Sequence, residues 1–259
     1  MRADNTASGL SILAACTADV KLCFVQNGLQ LNPDKSEALI VGTANQLRAA
    51  ASLSSVKVAG VDLPVAEDIK VLGVILDRRL TFNKHVSSVV WSCNYHAQAI
   101  RHIRHLLTTD LAQTLACSLI LSRIDYCNAV LHGAPSGTVH KLQRVQNNAA
   151  RIVHQTPRRS HAHSLLKELH WSPVEQCISY KLAVLTFKIQ HTSAPAYLSR
   201  HTRARSGTQS LRSSAVPFLD VPFRRTDIGK RSFSCAVPAT WNSLPLSSTV
   251  TLSLCLNLG

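Results

Sequence analysis

Aromatic side chains make up only 5% of the 259 residues, and there is a single methionine. A core built from this chain must therefore rest on Leu, Val, Ile and Ala, which the 46% apolar content supplies in quantity. Acid is scarce as well: 14 Asp and Glu stand against 28 Lys and Arg, for a formal net charge of +14. Such a balance favours a polyanionic partner, nucleic acid before an anionic membrane. No C-x-x-C pair occurs among Cys16, Cys23, Cys93, Cys117, Cys127, Cys177, Cys235 and Cys255. Most of them sit among apolar neighbours, where a reduced cysteine acts as a small hydrophobe. The opening "MRADNTASGLSILAAC" has no signal-peptide pattern, so an intracellular, reduced protein is expected rather than a disulfide scaffold. No run reaches the ~18 apolar residues of a membrane span, and the longest candidate, "LAQTLACSLILSRIDYC", ends in charge, so no membrane partner is expected. Glycine-rich phosphate loops and a nucleophile elbow are also missing. No Asp-Asp pair occurs, and the adjacent acids Glu67-Asp68 read as an exposed turn.

The positive charge is unevenly spread. Residues 1–140 carry 12 Lys and Arg against 10 Asp and Glu, whereas residues 141–259 carry 16 against 4. The carboxyl-terminal half holds nearly all of the field, either as a solvated basic surface or as a binding face.

Periodicity divides the chain near residue 83. Before it, "SGLSILAACTADVKLCFVQ" spaces Leu10, Leu13, Ala14, Thr17, Val20 and Phe24 as a helix over 8–26, and Gly28 suits a left-handed residue past its end. Strands are expected at about 29–31 and 36–41, around the turn Asn32-Pro33-Asp34. Residues 44–55 read as a loop or short helix. "VKVAGVDLPVA" reads as a hairpin, and "IKVLGVILDRRLTF" as a strand with Gly73 inside it. After residue 83 the period becomes helical. Val86, Val89, Val90, Cys93, Ala97, Ile100, Ile103 and Leu107 form one apolar face over 84–107. A second helix starts at Thr109 or Asp110 and runs through Leu121 or beyond. A third, from Ser136 or Thr138 to about His154, sets Val139, Leu142, Val145, Ala149, Ile152 and Val153 against Lys141, Arg144, Asn148 and Arg151 on the other face. Shorter helices are expected at 162–169 and 174–190. From 200 onward Pro, Ser and Arg rise, and a basic, extended or partly disordered tail is expected. The fold class is α+β: small antiparallel strands over about 29–82, then a mainly helical region over 84–199, then an irregular tail over 200–259.

Six stretches in order, "NGLQLNPDKSEALIVGT", "IKVLGVILDRRLTFNKHV", "SRIDYCNAVLHG", "KLQRVQNNAARIV", "LHWSPVEQCISYKLAVLTFK" and "FSCAVPATWNSLP", resemble the carboxyl-terminal half of reverse transcriptases of non-LTR (LINE-type, jockey-like) retrotransposons. The resemblance runs from about residue 8 to 249. It implies that residues 1–83 are part of a polymerase palm and that the helices from 84 onward are the thumb and connection, which pack on a template–primer duplex. Lys35 matches the lysine of the palm's motif D, a cation or proton donor beside the leaving pyrophosphate; an exposed turn lysine is its plainer reading. Leu72 and Gly73 match the primer grip, with a bulge in a packed strand as the other reading of Gly73. Lys141, Arg144 and Arg151 become the first candidates for duplex contact, and Arg101 and Arg104 the second.

In that family two magnesium ions held by carboxylates move the nucleotidyl group. Those carboxylates lie before the helix at 8–26, and no residues here match them, so no cofactor is expected and the chain reads as a truncated fragment without polymerase activity alone. The expected partners are RNA, DNA or their hybrid, bound through phosphates, and the missing amino-terminal polymerase half. The alternatives are a structural or interaction module and a non-functional relic of an element. His161, His163, His170 and Cys177 read as scattered surface residues, with a zinc site as the alternative. Trp91, Trp171 and Trp241 read as packing residues, with base stacking at Trp241 as an alternative.

Overall fold

The structure, a computed structural model, describes residues 3–58, 60–205 and 218–244. It divides into two compact units at Phe82/Asn83. The class is α+β, and among the described residues the short strands lie in the first unit.

Unit 1 opens with helix α1, Ala3–Gln26. It closes as its sequence demands: Gly28 adopts φ +70°, and the Gly28 and Leu29 N–H groups donate to the Val25 and Phe24 carbonyls at 3.0 and 2.8 Å. The strand expected at 29–31 does not form, because Leu29 is consumed by this cap. The turn that follows is stapled by Asn32, whose side chain accepts from the Asp34 N–H at 3.0 Å and whose carbonyl accepts from the Ser36 hydroxyl at 2.8 Å. The next strand shrinks to β1, Ala38–Leu39. Thr43 and Gln46 then form a capping box at the start of α2, Ala44–Ala49.

Strands β2, Ser55–Val58, and β3, Val61–Ala66, pair antiparallel, and β1 joins the other side of β3 in parallel. A separate antiparallel hairpin joins β4, Asp68–Val71, to β5, Val74–Asp77. The reading of one strand with Gly73 inside it is thereby corrected. Val71 pairs with Val74, so Leu72 and Gly73 are the two turn residues, with φ of 46° and 83°. Positive φ at both positions suits the right-handed twist of the flanking strands, which is why a turn wins over a continuous strand. After β5 the chain is held by Asp77, whose carboxylate accepts from the Arg79, Thr81 and Phe82 N–H groups at 3.0, 3.0 and 2.7 Å and from the Thr81 hydroxyl at 3.0 Å. Partial burial alone would push this carboxyl up, but those four donors outweigh it and hold it below the usual carboxylate range.

Helix α1 also corrects the expectation that no segment is long and apolar enough to span a membrane. Ser8–Gln26 gives 19 residues of mean hydropathy 1.5, and none of that stretch is buried. Asp19 and Lys21 break the apolar run in the sequence, yet they leave the mean over the helix high.

Unit 2 is helical. Helix α3, Asn83–Ile103, ends in a 3₁₀ turn at Arg104–Leu106. Thr108 caps α4, Thr109–Ala116, which continues through a π turn, Cys117–Leu121, into α5, Ser122–Asp125. Helix α6, Ser136–Val153, is the centre of the unit, packed by α3, α4, α8 (Val174–Thr192) and α7 (Ala162–Glu168). Its apolar face is buried at Leu142, Val145, Ala149, Ile152 and Val153, as the helical period requires. Short helices α9, Ala196–Ser199, and α10, Asp227–Lys230, precede α11, Phe233–Asn242.

Helix α11 corrects the expectation of an irregular tail for the described part of 200–259; residues 206–217 and 245–259, with Cys255, lie outside the described residues. Trp241 is buried with Phe187 of α8 and Leu219. Asn242 locks the loop onto the helix, its side chain accepting from the Leu219 N–H and donating to the Leu219 carbonyl, both at 2.8 Å. Burial of an aromatic here outweighs the cost of Pro238 inside the helix.

Two outcomes test the first unit. Leu72→Asn relieves an L-residue held in the left-handed region and raises the stability of unit 1 by about 0.5–1 kcal/mol in urea titration. Asp77→Ala lowers it by about 1–2 kcal/mol at neutral pH. The depressed carboxyl contributes stability above its unfolded pKa and loses it as pH falls through the folded value, so mutant and native chains converge in acid.

Candidate nucleic-acid interface

Helices α3 and α6 are pinned at both ends. At their starts the Thr138 hydroxyl donates to the Asn83 side chain at 2.7 Å. At their ends Arg104 reaches the last carbonyls of α6. Its Nε donates to the Ile152 and Val153 carbonyls at 3.2 and 3.0 Å, and one terminal nitrogen donates to Val153 at 2.6 Å. The other donates to the Leu107 carbonyl at 2.7 Å. Start meets start and end meets end, so the two helices run in the same direction.

Between them lies a groove of about 970 Å³ lined by Arg101, Lys141, Arg144, Arg151 and Arg158, with the amides Asn94, Gln98, Asn147 and Asn148 between the cations. Among the described residues no carboxylate lines it. Two of the cations are oriented without being neutralised: Arg101 donates to the Asn148 side chain at 2.9 Å, and Arg151 Nε donates to the Ser160 carbonyl at 3.0 Å. Both acceptors are neutral, so the full positive charge remains directed at the groove.

Four of the five cations read from the sequence thus meet in one place. The fifth, Arg104, is a correction. It is only 7% exposed, and its donors are spent on backbone carbonyls. The negative end of the α6 dipole and its orphan carbonyls take this guanidinium, which makes it a structural cap rather than a phosphate contact. Arg158 was missed because it lies beyond the helix, in the turn after α6, where helical spacing gives no signal. Trp91, expected as a packing residue, is instead 75% exposed at the groove, whereas Trp171 and Trp241 are buried.

The remaining candidates fall elsewhere. Lys35 is exposed on the 3₁₀ turn Pro33–Lys35. Leu72 is 84% exposed at the tip of the β4–β5 hairpin. Among the described residues no group of three His, Cys, Asp or Glu side chains is placed to hold a metal, and this includes His161, His163, His170 and Cys177. The buried thiol Cys93 is pushed up to about 11 by desolvation, against the pull of Arg123, which suits a packing role in the α3 core.

The two kinds of arginine separate in a melting experiment. Arg104→Ala leaves buried carbonyls without donors and costs about 3 kcal/mol, and Arg104→Lys restores only part because it lacks the planar fork. Arg144→Ala, on the exposed rim, changes stability by less than about 0.5 kcal/mol.

No family model and no solved structure matches the chain. Over 162 residues it is 26% identical to the probable RNA-directed DNA polymerase from transposon BS of Drosophila melanogaster. The match takes in 58% of this chain, and the chain spans 17% of that protein's length. This distant similarity supports a reverse-transcriptase-like origin.

Proposed function

We propose that the chain is a portion of a non-LTR, LINE-type retrotransposon reverse transcriptase and that its helical unit, in the place of a thumb, binds nucleic acid through phosphates. The observation that carries this reading is the α3–α6 groove, lined among the described residues by five cations and no acid. Like charges held this close repel one another, and a polyanion relieves that repulsion while releasing its own counterions. The amides between the cations can donate to phosphate or sugar oxygens without adding negative charge. Binding of this kind reads backbone rather than base sequence, so RNA, DNA and hybrid all qualify.

Nucleotidyl transfer is not assigned to the chain alone. The chemistry needs clustered carboxylates to hold two magnesium ions, and the sequence offers no Asp-Asp pair. By the family resemblance Lys35 would serve as the motif D lysine, in a role that depends on carboxylates supplied from outside these residues. By the same reading, Leu72 at its hairpin tip stands where a primer grip would stand.

A filter-binding titration against duplex and single strand at several salt concentrations checks the proposal. Affinity falls steeply with salt, with a log–log slope of about −3 to −4 if about four phosphates are neutralised. Reversal of Lys141, Arg144 and Arg151 to Glu lowers affinity about 100-fold or more at ~0.1 M salt without loss of helical signal. Salt-independent binding, or an unaffected triple variant, would contradict the assignment. Templated primer extension by the purified chain with magnesium would overturn the claim of inactivity.

A further inference from the structure

Trp91 is the largest side chain that the groove leaves uncovered. It sits on α3, at the lip of the cationic channel, with 75% of its surface in solvent. One helical turn further along α3, Tyr95 is 65% exposed, its ring edge-on to His96 at 5.4 Å between centroids. Residues four apart lie on the same side of a helix, about 6 Å apart along its axis. Trp91 thus presents an aromatic surface beside the row of cations, and Tyr95, outside the groove lining, follows it along the helix. Exposed indole in contact with water is unfavourable, and the α3 core does not require it, since Val86, Cys93, Ala97 and Ile100 already fill that face.

We infer that Trp91, followed by Tyr95, is a stacking platform for unpaired bases, and that the α3–α6 groove takes a single strand of nucleic acid. The inference rests on the proposal that the groove binds phosphate. It goes further because stacking discriminates. In a duplex each base is covered on both faces by its neighbours, and an indole at the rim has no face to meet. In a single strand the phosphates lie along Arg144 and Lys141 while a base turns outward onto the ring. Asn94 and Gln98, on the same helix, can donate to and accept from base edges, and every base has a π-face, so the preference is for strandedness rather than sequence. The cation row adds attraction to the stacked base, since guanidinium groups favour aromatic faces.

The full chain carries its own reporter, because Trp171 and Trp241 are buried and Trp91 is not. Tryptophan fluorescence is titrated with oligothymidylate of ~20 nucleotides, an abasic strand of equal length and a duplex of equal length. Oligothymidylate quenches the fluorescence and binds about ten-fold more tightly than the abasic strand, which does not quench. Trp91→Ala brings oligothymidylate down to the abasic level and leaves abasic and duplex affinities unchanged, whereas Trp91→Phe keeps most of the difference. Equal binding of base-bearing and abasic strands, or full oligothymidylate affinity in Trp91→Ala, overturns the stacking platform while leaving the phosphate groove standing. Failure of all three ligands to bind overturns both.

Discussion

The helical unit depends on one buried guanidinium. Arg104 stands just past the end of α3 and closes the carboxyl end of α6, where unpaired carbonyls and the negative end of the helix dipole would otherwise face apolar neighbours. That contact, with the Thr138–Asn83 bond at the opposite end, fixes the two helices in direction and register. Once they are fixed, their facing residues have no freedom. Val86, Cys93, Ala97, Leu142, Val145 and Ala149 turn inward, and the positions flanking them on each helix become the two walls of a groove. One arginine is held by backbone carbonyls, and five other cations line the groove that the two fixed helices form.

That accumulation of charge has a structural counterpart. Gln143 accepts from the Val174 N–H at 2.9 Å, and Gln146 donates to the Ser172 carbonyl at 2.9 Å, so α6 also caps the entry to α8 on its far side. Helix α6 is therefore held from several directions by hydrogen bonds and apolar packing. The two glutamine contacts use none of its basic residues; Arg151 Nε is given to the Ser160 carbonyl, and Lys141 and Arg144 line the groove. A surface of this kind suits a ligand bound by charge and flat contact rather than by a deep specific pocket.

Unit 1 is organised differently. Its strands are short, its two sheets have three and two members, and its buried apolar residues among those described are few: Val56, Leu63, Val74 and Phe82. Order comes from local devices, namely the Gly28 helix end, the Thr43–Gln46 capping box and the Asp77 turn. Such local order opens at low free energy compared with a packed helical core. The three candidate residues that the family resemblance singles out there, Lys35, Leu72 and Gly73, lie on turns rather than on the packed elements.

The 3.6-residue spacing of apolar side chains was enough to place α3 and α6 and to show that α6 has one oily and one basic face, since helix geometry alone dictates which residues share a side. Gly28 declared the end of α1 for the same local reason. Strand content was less legible: a two-residue turn and a bulge both accommodate Leu72-Gly73, and only the pairing of Val71 with Val74 distinguishes them. Helix α11 was hidden because Pro238 and a short length mask its period, and its stability comes from Trp241 meeting Phe187 and Leu219, far away in sequence. The site divides along the same line. Composition and helical phase alone determined that this protein carries a concentrated positive field and which face of α6 bears it. Only the tertiary structure decided that Arg104 is spent inside the fold, that Arg158 joins the groove from the following turn, and that Trp91 faces solvent, because burial depends on which neighbour covers a side chain and no local pattern encodes that neighbour.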